Sequence, residues 1–188
     1  MDLLSDFVLK RDILRGTIPQ EILDEANDMV MFCRRYKNSK LSQLRYLHNI
    51  GTNDYQCFIP FNLVNESFML PYLNLCAKRY HKNFYTSSNK DVKIGIKDYN
   101  DILTYDIWIN YCKLGDENKK HWHAFSNYAG IIFIKNDNEL TYFENDEEVN
   151  GKEGDIIIFP ATLSHWTKPQ RSKKERVTIS FNFVTIET

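Results

Sequence analysis

Cysteine, glycine and proline are all scarce in this 188-residue chain, with 4, 7 and 5 residues respectively. The cysteines, Cys33, Cys57, Cys76 and Cys112, are widely spaced and form no C-x-x-C pair. With no secretory leader at the N-terminus, they read as thiols of a cytoplasmic protein rather than as a disulfide framework. No apolar run approaches the ~20 residues needed to span a bilayer. Charge of one sign is missing too. Lys and Arg number 24 against 25 Asp and Glu, so no global field draws the chain to nucleic acid or an anionic membrane. The one basic cluster, Lys168, Arg171, Lys173, Lys174 and Arg176, reads mostly as a solvated loop. There is no internal repeat and no low-complexity segment.

What is present is a normal globular composition rich in aromatics. Hydrophobic residues make up 43% and Phe, Trp and Tyr 14%, which suits a β-rich core in a single domain over residues 1–188. The chain changes character near residue 90. Apolar residues Ile22, Leu23, Ala26, Met29, Val30 and Cys33 recur at helical steps, predicting a helix over Pro19 to Asn38, with Glu21 and Asp24 at the positive end of its dipole. A second helix is predicted from Asn65 to Lys82, with Pro71 moving its start toward residue 70. Residues 1–95 thus form a mainly helical support region.

Residues 96–188 read as strands: Tyr105 to Tyr111, Gly130 to Lys135, Glu139 to Glu144, Asp155 to Phe159 and Val177 to Thr185. Asn145 to Gly154 is a polar turn region with one short strand at most. Many short strands after a helical segment predict an α+β fold, a sandwich or barrel with the helices packed outside.

Three of the five histidines form a pattern. His121 and His123 make an H-x-H pair, and on a strand such residues share one face, so two imidazoles can aim at one point. A third, from His165, would close one side of a metal ion and leave the other open, as catalytic sites require. His48 and His81 read as ordinary surface or hydrogen-bonded residues. Near the C-terminus, Arg176, Thr178, Ser180 and Asn182 alternate with Val177, Ile179, Phe181 and Phe183. The apolar set is core, and the polar set faces either water or a polar cavity. A guanidinium beside a hydroxyl is a good carboxylate receptor.

Taken together, Trp108-Ile109-Asn110 followed by Gly115, His121-Trp122-His123, Tyr128 to Phe133, Gly154 to Pro160, Ser164-His165 and Glu175 to Asn182 resemble the double-stranded β-helix (jelly-roll, cupin-like) core of the Fe(II)- and 2-oxoglutarate-dependent oxygenases. Within them the similarity is to a small, often phage or marine-bacterial, prolyl-hydroxylase-like branch. The high Asn, Lys and Ile content fits such a source, in a bacterial or phage-infected host cell. The resemblance covers about the last 80 residues.

It implies Fe(II), 2-oxoglutarate and O2 as cofactors and co-substrates, and hydroxylation of a small-molecule or peptidyl substrate. It also implies His121 and His165 as iron ligands, Arg176 and Thr178 as the anchor of the distal carboxylate of 2-oxoglutarate, and Asn110 as a further co-substrate contact. The wider superfamily carries an acid where this chain has His123. Either His123 is the third ligand, or it swings away and water or another anion takes the position. Aromatic residues Trp122, Phe125 and Tyr128 either wall the pocket or belong to the core. Two other readings stay open: a three-histidine cupin-type dioxygenase independent of 2-oxoglutarate, and a non-catalytic jelly-roll binding module.

Overall fold

The computed structural model describes residues 4–36, 51–52, 55–59, 68–88 and 102–185. His48, the first residue of the second predicted helix, Asn65, and the last two residues of the first predicted helix lie outside them. Twelve strands and two helices are described. The first half contributes β1 (Val8–Lys10), β2 (Ile13–Thr17), α1 (Gln20–Tyr36), β3 (Gly51–Thr52), β4 (Tyr55–Phe58) and α2 (Met69–Ser88). The second half contributes β5 (Ile102–Cys112), β6 (Glu117–Asn118), β7 (Tyr128–Lys135), β8 (Thr141–Phe143), β9 (Glu148–Val149), β10 (Asp155–Pro160), β11 (His165–Thr167) and β12 (Arg176–Thr185).

A seven-stranded antiparallel sheet runs in the order β1-β2-β10-β7-β12-β5-β4. A smaller sheet, β11-β8-β9, faces it, and β3 pairs with β6. Together with the helices this is the α+β double-stranded β-helix architecture. Both predicted helices form, α1 close to its expected limits and α2 running past the expected end at Lys82 to Ser88. The Pro19 carbonyl accepts the amides of Ile22 and Leu23, opening α1, and Pro71 sits in the first turn of α2, where its missing N–H costs nothing. Glu25 of α1 accepts the Met69 amide at 2.9 Å, so one helix caps the other. Neither helix is long and apolar enough to cross a membrane.

Periodicity did not reveal β1, β2 and β4, which complete both edges of the large sheet. They are short, and β2 carries Gly16, where a Cβ would lie 2.3 Å from the Phe7 ring. Strand alternation divides the large sheet cleanly. Ile132, Ile134, Ile156, Ile158, Val177, Ile179, Phe181 and Phe183 point to the helices and share one core with Ile22, Ala26, Val30, Leu73, Ala77 and Tyr80. Ile131, Phe133, Ile157 and Phe159 point the other way, to Phe143 and Val149 of the small sheet. The second cluster fills one end of the space between the sheets, and polar side chains line the remainder.

Candidate metal centre

The three histidines meet between the two sheets. Their nearest ring nitrogens all lie within 4.8 Å of one another, and His123 Nε2 is 3.3 Å from His165 Nε2. The route to this geometry differs from the sequence expectation. His121 and His123 do not lie on a regular strand: His121 forms an isolated bridge with His165, and His123 follows in irregular chain. The bridge is a reciprocal pair of backbone hydrogen bonds, His121 N to His165 O at 3.1 Å and the reverse at 2.9 Å. Directly opposed residues of this kind send their side chains to the same face. His123 is placed by its own amide, which donates to the Ala161 carbonyl at 2.9 Å.

Each ring is oriented by what it touches. His121 Nδ1 lies 2.7 Å from the Lys119 carbonyl and His165 Nδ1 3.2 Å from that of Leu163. A carbonyl only accepts, so both Nδ1 atoms carry the proton and both Nε2 atoms present a lone pair. Such outer bonds fix a metal-binding tautomer. The His165 ring meets Phe159 at 4.8 Å and Phe143 at 5.8 Å, and the His123 ring meets Trp108 at 5.6 Å. Burial lowers all three basicities, His123 to about 4 with His121 adding repulsion, and His165 well below the ordinary value. The imidazoles are therefore neutral at physiological pH, the form that ligates a metal. Three neutral nitrogen donors converging from one side fit a ferrous ion.

No carboxylate joins the cluster among the described residues. Asp116, an acid close in sequence, is turned away: its side chain accepts the Lys113 amide at 2.9 Å within its own turn. This turn opens at Gly115, whose φ of +89° favours glycine.

Beside the histidines the cleft continues along the inner face of β12. Arg176 and Thr178 are 4% and 2% exposed, which settles the open choice between water and cavity in favour of the cavity. Arg176 donates to Thr141 Oγ1 at 2.9 Å and its guanidinium lies over the Phe133 ring at 5.7 Å. Asn110, opposite Thr178 in the β5–β12 register, donates to Thr178 Oγ1 at 3.2 Å and Ser180 Oγ at 3.0 Å. No acid lines this cleft among the described residues. A buried guanidinium held by one hydroxyl, in a cleft that also carries those of Thr178 and Ser180, makes a receptor for an anion.

All six residues singled out in the sequence thus line one cleft. Thr141 was missed as a site residue; its only signal was its place on the same side of its strand as buried Phe143. Trp122 and Phe125 are neither core nor cleft wall: they are 57% and 96% exposed. Tyr128 lies on the helix side, its hydroxyl hydrogen-bonded to His81 Nδ1.

Residues 141–182 match the family described as "Putative 2OG-Fe(II) oxygenase", a stretch that holds Thr141, His165, Arg176 and Thr178. No curated protein matches the chain significantly. Solved structures match over nearly its whole length. A prolyl-4-hydroxylase from Pseudomonas putida aligns at TM-score 0.57 and 12% identity, over 100% of this chain and 97% of that one. The viral collagen prolyl hydroxylase of Paramecium bursaria Chlorella virus-1, solved with 2OG, aligns at 0.59 and 13%, over 94% and 97%. A Trichoplax adhaerens prolyl hydroxylase, solved with a hypoxia inducible factor peptide, aligns at 0.57 and 11%, over 94% and 84%. At such identities the likeness to these structures is one of fold. Over residues 141–182 the chain is thus similar to the 2OG-Fe(II) oxygenase family, and over nearly its whole length it shares the fold of these prolyl hydroxylases.

Proposed function

We propose that this protein is an Fe(II)- and 2-oxoglutarate-dependent dioxygenase that hydroxylates an amino-acid or peptidyl substrate and converts 2-oxoglutarate to succinate and CO2. One observation carries the reading: a three-imidazole donor set and a buried arginine held by a threonine hydroxyl share one cleft. Bound iron supplies the activation of dioxygen, driven by oxidation of the keto acid.

The chain's own residues do the rest. His121, His123 and His165 hold the ion from one side and leave the other open. Arg176 binds the distal carboxylate of 2-oxoglutarate, with Thr141 steadying its guanidinium. Asn110 donates to the oxygens of Thr178 and Ser180, which leaves both hydroxyl protons available to donate to a bound anion. Rings of Trp108, Phe143 and Phe159 shield the imidazoles from water. Residues 1–188 act as one unit in which the helical half supports the sheet. Four buried cysteines, none of them in a disulfide, suit a cytoplasmic setting.

The test is an anaerobic titration with Fe(II) and then 2-oxoglutarate, following the weak visible charge-transfer band of the chelate. A band that needs both supports the oxygenase. Iron binding without the band favours a three-histidine dioxygenase, which the absence of a carboxylate from the cluster would suit. No iron binding leaves a non-catalytic jelly-roll module.

A further inference from the structure

The polar stripe of β12 runs past the anion receptor and ends at Asn182, which has no part in the chemistry above. In the sheet register Asn182 stands opposite Asp106 on β5 and Ala129 on β7, and Ala129 opposite Phe159 on β10. These four share the sheet face that carries the cleft; Phe159 lines the cleft, and the other three lie one step past its lining. The next rung holds Trp108, Ser180, Ile131 and Ile157. The imidazoles straddle the two, since His165 meets Phe159 and His123 meets Trp108. Asp106 is two residues along β5 from Trp108, about 7 Å.

The Asp106–Asn182 pair is incomplete in a particular way. Asn182 donates its amide N–H to the Asp106 carboxylate. Its own Oδ1 is buried with no hydrogen-bond partner, in a residue only 7% exposed. No ion pair among the described residues includes Asp106. Burial pushes the Asp106 carboxyl above its ordinary range, with the Asn182 donor pulling the other way. Ser126 Oγ is a second buried oxygen without a partner, and its neighbour Asn127 donates to the carbonyl of Phe183, next to Asn182. Ala129 fills little space beside the amide. The β5–β12 register also shifts just beyond this rung, the kind of irregularity that re-aims side chains beside active sites. What is missing is a donor carrying positive charge.

We propose that Asp106 and Asn182 form a receptor for a primary ammonium group of the substrate. Resting on the oxygenase reading, this narrows the substrate to an amine or amino acid oxidised a few bonds from its nitrogen. The triad then lies between unlike receptors: Arg176 takes the anionic co-substrate and Asp106 the cationic substrate, so the two cannot exchange places.

Butylammonium is the probe, with butyramide as its neutral control, read by saturation-transfer NMR on the apo-protein. Butylammonium should bind and butyramide should not. Asp106→Asn keeps the shape and should weaken binding about tenfold or more, the scale of one charge-assisted hydrogen bond. Asn182→Asp adds a second acceptor charge and should tighten it. With Mn(II) loaded in place of iron, the probe's methyl protons should relax faster in wild type than in Asp106→Asn. Equal affinity in wild type and Asp106→Asn, equal binding of butyramide, or no binding of butylammonium overturns the receptor. Failure of Mn(II) to bind removes the metal reading instead, while the apo-protein measurement still decides Asp106.

Discussion

The two faces of β12 are buried alike and do opposite things. Val177, Ile179, Phe181 and Phe183 meet the helices, and Arg176, Thr178 and Ser180 meet the cleft with Asn182 one step past its lining, all at 7% exposure or less. Burying the first set drives folding, whereas burying the second costs free energy unless each group finds a partner. Neighbours along one strand are therefore under separate constraints: volume on one side, hydrogen-bond geometry and charge on the other. The molecule tolerates the expensive face because the helices cover the inexpensive one.

Substitutions on each face test that division. The largest effect belongs to His165→Ala, which should abolish turnover and weaken metal binding well beyond the roughly 10–100-fold typical of outer-sphere changes, measured by metal titration. Circular dichroism should still report a folded chain. Next, Phe181→Ala on the helix face should cost about 3–5 kcal/mol in urea denaturation, because the ring fills a core position and covers Gly130, yet leave metal affinity unchanged.

Arg176→Met should behave in the reverse sense. It should cost about 2–5 kcal/mol of 2-oxoglutarate binding, and leave stability equal or slightly raised because a buried charge is gone. Loss of stability there would make Arg176 a structural residue. The smallest effect is Tyr128→Phe, which removes the hydrogen bond to His81 on the helix side and should lower stability by about 1 kcal/mol without moving any site property.

Much of this was legible in the sequence because periodicity carries it. The helical steps from Ile22 to Cys33 and the alternation from Arg176 to Phe183 each reflect one buried face. The histidines were legible as a set, but for a reason that proved different: the rings converge through a bridge between residues distant in sequence, and no local rule encodes that pairing. Strands β1 and β2 escaped notice because three to five residues carry too little alternation, and β10, which joins β2 to the sheet, is far along the chain. Thr141 and the Asp106–Asn182 rung were invisible for the same reason, since cross-strand register is set by the assembled sheet. Trp122 read as pocket wall or core on the assumption of a regular strand, and it is largely exposed instead.

The bridge joining residues 121 and 165 is written entirely in backbone atoms. Either side chain can therefore change without untying that bridge. Catalysis and architecture are inherited separately at this point: one substitution can silence the chemistry and leave an intact scaffold on which selection is free to build a different binding role.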